Sequence, residues 1–84
     1  MTLTTRQYLK QLEKPTLRKL FKICDLSETE YWLVIYAFVE ERMRDNTCAK
    51  LSIGRTKYHS MLNEALIKIE YKIKELDKIR TLTP

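Results

Sequence analysis

One glycine, Gly54, and two prolines are all the strong chain-breakers that 84 residues contain. Tight hairpins draw on such residues, so few positions can hold one. Helices joined by short loops are the expected solution. The fold class that follows is all-α, a small bundle of four to five helices. The length suits one domain over residues 1–84, with one small core and no metal or disulfide staple.

The helical pattern is legible along most of the chain. Leu3, Tyr8, Leu9 and Leu12 recur at helical spacing, with Thr4 or Thr5 able to cap. Pro15 opens a second helix, where its missing N–H costs nothing. Leu17, Leu20, Phe21 and Cys24 stand at i, i+3, i+4 and i+7 and share a face. Arg18, Lys19 and Lys22 fall mostly on the other side. "SETE" at Ser27 to Glu30 is a capping box. It leads into "YWLVIYAFV", which is apolar on every side and predicts a buried central helix with Trp32 inside. "RDNTCAKL" predicts a short helix capped by Asp45 or Asn46. A turn at "SIG" follows, and then a helix from Arg55 to about Leu82.

The formal charge is +5, which favours an anionic partner such as nucleic acid. Residues 1–40 hold six Lys/Arg against five Asp/Glu, and residues 41–84 hold ten against six. Arg42, Arg44, Lys50, Arg55 and Lys57 face only Asp45 within residues 42–57. Cys24 and Cys48 form no CxxC pair and read as buried thiols acting as small apolar residues. With one His beside them they cannot assemble a zinc site, so neither metal nor cofactor is expected. No glycine-rich loop and no recognisable nucleophile–base spacing is present, and an enzyme is not expected. The N-terminus has no apolar signal region, and the longest apolar run is too short to span a bilayer. A cytoplasmic protein is expected.

"CAKLSIGRTKYHSMLNEALIKI" carries an ordered set of features: Cys48, Leu51, Ile53, Gly54-Arg55, Tyr58, Met61 and "ALIKI" at Ala65 to Ile69. Upstream stands "LSETEYWLVIYAFVEE". This set resembles the helix-turn-helix of the C-terminal DNA-binding domain of bacterial sigma factors. It is closer still to short sigma-like phage transcription regulators of the ArpU/RinA type. The resemblance covers residues 26–69, with 1–25 as N-terminal helices and 70–84 as an extension of the last helix. It departs from the pattern at Ser52, where Gly is common, at Thr47, where an apolar residue is common, and at Gly54, where Ser is the usual cap. The remainder of a sigma factor is missing, so a complete sigma factor is not expected.

A helix docked end-on in the major groove reads bases with its N-terminal residues. On a helix starting at Arg55, the residues Tyr58, Met61, Leu62, Ala65, Leu66 and Ile69 turn inward. Arg55, Thr56, Lys57, His59, Ser60 and Asn63 are the expected base contacts. Arg42, Arg44, Asn46, Thr47 and Lys50 are the expected DNA backbone contacts. A sequence-specific double-stranded DNA-binding transcription regulator, of phage or mobile-element origin, is the function the resemblance implies. Two alternatives stand beside it: a sigma-like module that docks on RNA polymerase or another host protein, and a DNA-packaging protein resembling a small terminase subunit. Leu62, Leu66, Ile69, Ile73 and Leu76 also form a heptad seam. Ile73, Leu76 and Ile79 are therefore the expected interface of a homodimer, with Tyr8, Leu9 and Leu12 as possible partners of that seam.

Overall fold

Local signals start the helices, and the core then decides how they pack. The computed structural model describes the backbone of residues 4–82 and the side chains of residues 4–76. Its elements are α1 (Thr5–Gln11), α2 (Lys14–Ile23), α3 (Glu28–Val34), α4 (Arg44–Leu51) and α5 (Arg55–Leu82), with a π-helical turn over Ile35–Val39 continuing α3. Thr4 caps α1: its Oγ1 accepts from the Gln7 N–H at 3.2 Å, and Gln7 Oε1 accepts from the Thr4 N–H at 3.0 Å. Pro15 lies in the first turn of α2. The Ser27 hydroxyl accepts from the Glu30 N–H at 3.2 Å, and Glu30 Oε1 accepts from the Ser27 N–H at 3.0 Å, closing the capping box of α3. Each such cap contributes about 1 kcal/mol.

One core collects the inner faces. Leu9 of α1, Leu17 and Phe21 of α2, Leu33 and Val34 of α3, and Ile69 of α5 are almost fully buried within it. Fully burying such a side chain contributes roughly 1.5–3 kcal/mol, so each of these residues is a substantial part of the drive to fold. The 28 residues of α5 rise about 1.5 Å each. They set the 47 Å long dimension of the molecule.

The apolar run does not end as a plain α-helix. The Glu40 N–H bonds the Ile35 carbonyl at 2.9 Å, and the Arg42 N–H bonds the Tyr36 carbonyl at 2.8 Å. Between them Glu41 takes φ 52, the left-handed conformation that releases the chain toward α4. The wider turn keeps both Ile35 and Val39 buried.

The expected burial of Trp32 is corrected. Trp32 is 43% exposed. Its ring meets Tyr31 edge-on at 5.3 Å and lies 5.9 Å from Tyr36. A chain this short has too few elements to cover a helix on every side. The aromatic rings therefore cover one another on the face that remains. Cys24 is buried, whereas Cys48 is only half-buried, and both thiols are free. The expected cap of the fourth helix is also corrected. Met43 holds the N-cap position and α4 begins at Arg44, two to three residues earlier than Asp45 or Asn46 would allow.

Glu30 fastens α3 to α5. Its side chain is 5% exposed, and Lys68 Nζ donates to Oε1 at 2.8 Å. Burial pushes the carboxyl pKa up. The Lys68 ammonium and the Ser27 backbone and side chain outweigh burial and hold it below the ordinary carboxylate value. Glu30 Oε2 has no hydrogen-bond partner.

Candidate nucleic-acid interface

The turn between α4 and α5 is built by hydrogen bonds that a left-handed residue permits. Ser52 takes φ 55, ψ 45. Its N–H bonds the Ala49 carbonyl at 3.4 Å, and the Ile53 N–H bonds the Cys48 carbonyl at 3.0 Å. This is the Schellman closure of a helix, reached here without glycine at a cost in backbone strain. Cys48, Leu51 and Ile53 pack against the core, which holds the turn in place. Gly54 precedes α5, and its carbonyl accepts the Tyr58 N–H at 2.9 Å. Nothing lies within 4 Å of the position a Cβ would occupy on Gly54. Its flank at the start of α5 is open.

α5 is locked on one side and bare on the other. Tyr58, Leu62, Ala65, Leu66 and Ile69 are buried, as their spacing predicts. Met61 is half-buried. Burial, and to a lesser degree Cys48, pushes the Tyr58 hydroxyl pKa up, while the charges of Arg6 and Arg44 pull against that rise. Arg55, Thr56, Lys57, His59, Ser60 and Asn63 are all exposed. The bare side of the first three turns of α5 carries the six residues expected to read bases.

Arg44 joins that surface. Its Nη1 lies 3.5 Å from His59 Nε2, and its Nε lies 3.7 Å from Asp45 Oδ1. Arg55 Nη2 lies 3.4 Å from the same Asp45 oxygen. All these groups are solvated, and such pairs contribute about 0–1 kcal/mol. They arrange the side chains without immobilising them. Lys50 is exposed in the last turn of α4 rather than near its start.

The other expected backbone contacts divide. Thr47 is corrected: it is fully buried, and its Oγ1 has no hydrogen-bond partner among the described residues. Residue 47 lies on the side of α4 that packs on the core and presents nothing to a phosphate. Arg42 is half-buried and braced within the chain. Its Nε donates to Glu40 Oε1 at 2.8 Å, its Nη1 donates to Asn46 Oδ1 at 2.9 Å, and its guanidinium lies 5.3 Å from the centre of the Tyr36 ring. Arg42 and Asn46 thereby join the end of the π turn to the start of α4.

The expected dimer seam is corrected at one position. Ile73 is half-buried and packs against the core of its own chain. Leu9 and Leu12 likewise serve that core. Leu76 is 37% exposed, and the side chain of Ile79 lies outside the described residues. Among the described residues the most exposed large apolar side chains on this half of α5 are Ile67, 64% exposed, and Tyr71, 75% exposed.

A groove of about 530 Å³ lies beside the start of α5. Arg6, Lys10, Lys14 and Arg42 line it together with Glu41, over Leu9, Phe38, Tyr58 and Leu62. The cations of α1 and α2 were not among the expected contacts.

Among the described residues no group of three or more His, Cys, Asp or Glu is placed to hold a metal ion, and no helix is long and apolar enough to cross a membrane. No family model matches the chain, and neither a curated protein nor a solved structure matches it.

Proposed function

We propose that the chain is a sequence-specific double-stranded DNA-binding transcription regulator of the sigma-like phage type, acting in the bacterial cytoplasm or the infected host cell. One observation carries this proposal. The first turns of α5 bare Arg55, Thr56, Lys57, His59, Ser60 and Asn63 together, while the opposite side of the same turns is locked in the core. Arg44 approaches His59 of this surface at 3.5 Å, and residues 44–57 hold Arg44, Lys50, Arg55 and Lys57 with Asp45 as the acid among them. Arg and Asn offer paired hydrogen-bond geometry to guanine and adenine edges, and the flanking cations suit phosphates. A second copy would bring a second recognition helix. Of the apolar side chains bared at the surface, those on α5 are Ile67, Tyr71 and Leu76, and these would form its contact, since Ile73 is already engaged.

Selection of bound duplexes from a random pool tests the proposal. It should return a defined sequence, and affinity should fall steeply with salt. Binding to RNA polymerase without duplex affinity would instead make the chain a protein-docking module. A ring-shaped oligomer would favour DNA packaging. Sedimentation of wild type and of Ile67→Asp with Tyr71→Asp tests the second copy. A wild-type monomer at tens of micromolar (on the order of ordinary assay concentrations) excludes it.

A further inference from the structure

Charge is segregated along the first half of the chain more sharply than its total suggests. Residues 4–24 hold six Lys/Arg and one Asp/Glu, whereas residues 25–41 hold five Asp/Glu and no Lys/Arg. Arg6, Lys10 and Lys14 project from α1 and the start of α2 into the groove beside Tyr58 and Leu62. All three are exposed, and none takes part in an ion pair within 4 Å among the described residues. Among the described residues the acid that lines the groove is Glu41, and Arg42, which also lines it, is bound to Glu40 at 2.8 Å.

We infer that Arg6, Lys10 and Lys14 form a second phosphate-contact surface, which engages the backbone of the same duplex whose bases face α5. This rests on the DNA-binding function proposed above. Three observations favour a nucleic-acid backbone as the occupant. The first is sign: three unpaired cations gather at one concave site, and like charges held together are stabilised by an external polyanion. The second is continuity. Tyr58 and Leu62 belong both to the groove and to the inner side of the recognition turns, and the Arg6 and Arg44 charges act on the same Tyr58 hydroxyl. Arg42, at the entry to α4, lines the groove from the other wall. The third is the floor. Leu9, Leu17, Tyr58 and Leu62 are buried already, and Leu12, Ala37 and Phe38 are half-buried, so the fully exposed part of the lining is its charged side chains. An apolar protein segment would have to cover those cations, whereas a phosphodiester chain pairs with them.

The test compares three variants with wild type on one selected duplex across a salt series, after circular dichroism has shown each to be helical. The first is Arg6→Ala, Lys10→Ala, Lys14→Ala. The second is Arg18→Ala, Lys19→Ala, Lys22→Ala, which removes the same charge from the exposed side of α2 outside the groove. The third is Arg55→Ala with Lys57→Ala. The groove variant should lose at least about tenfold in low-salt affinity and flatten the slope of log affinity against log salt by about 2–3, at about 0.9 per lost phosphate contact. Its preferred sequence should not change, because phosphate contacts position without specifying. The α2 variant should keep the wild-type slope. Equal losses in the groove and α2 variants would overturn the inference, since general charge would then explain both. A groove variant with the wild-type slope would overturn it too, and if the Arg55/Lys57 variant still lost affinity the recognition helix would stand. A wild-type protein without salt-dependent duplex binding would remove the DNA-binding function itself.

Discussion

The exposed side of α5 changes character halfway along its length. From Arg55 to Asn63 it carries cations and hydrogen-bonding side chains, with a single nearby carboxylate on Asp45. From Glu64 onward most of the described charges are paired, Lys68 with Glu30 of α3 at 2.8 Å, Lys74 with Glu70 at 3.4 Å and Lys72 with Glu75 at 3.9 Å, and Ile67 and Tyr71 lie bare on the same half. The second half resembles an ordinary solvated helix face with i,i+3 and i,i+4 support. The first half leaves its positive charge unbalanced. One helix with one continuous buried stripe thus presents two surfaces, and only the first is suited to a polyanion.

That contrast can be broken or sharpened by substitution. The largest effect belongs to what the two halves share. Leu62→Ala and Ile69→Ala, one behind each half, should each cost about 2–5 kcal/mol in urea denaturation. A much smaller cost at Ile69 would mean that the second half is not anchored as the first is. Next comes the difference between the surfaces. Arg55→Ala should cost about 1–3 kcal/mol on a specific duplex and relax preference at one base pair. Lys72→Ala with Lys74→Ala should leave duplex affinity within about 0.5 kcal/mol, as is usual for surface sites away from a contact. Equal losses from the two would erase the comparison. A smaller change than that at Arg55 concerns the edge of the first surface. Thr47→Val replaces a buried hydroxyl that has no partner, and should raise stability by about 1 kcal/mol with duplex affinity unchanged. A drop in affinity in that variant would show that Thr47 reaches the DNA after all.

Much of the fold was legible because its signals are local. The caps at Thr4 and Ser27 act over three residues, and Pro15 acts on its own turn. The spacing of Leu17, Leu20, Phe21 and Cys24 needs only the helical period. The buried stripe of α5 followed from the same rule, and so did the six exposed residues opposite it. The groove cations escaped for a different reason. Charge summed over residues 1–40 nearly cancels, and that total hides a basic segment followed by an acidic one. A sum over shorter windows would have flagged Arg6, Lys10 and Lys14, though not the residues they would face.

Where local rules competed, the tertiary structure chose. Asp45 and Asn46 are better caps than Met43, yet α4 starts at Arg44 with Thr47 on its buried side. Trp32 is among the most apolar residues of its helix, yet it stays 43% exposed because no element is left to cover it. Ser52 takes a left-handed turn that glycine would adopt at lower cost, because Cys48, Leu51 and Ile53 gain contact with the core on either side of it. Glu30 meets Lys68 across 38 residues. By itself the sequence determined where most helices begin, which faces of α2 and α5 are apolar, and which side chains α5 bares at its start. Only the tertiary structure decided which cap prevailed, which aromatic ring stayed outside and which distant charges met. Capping and periodicity act between residues a turn apart, whereas burial depends on neighbours that the chain brings together from far along its length.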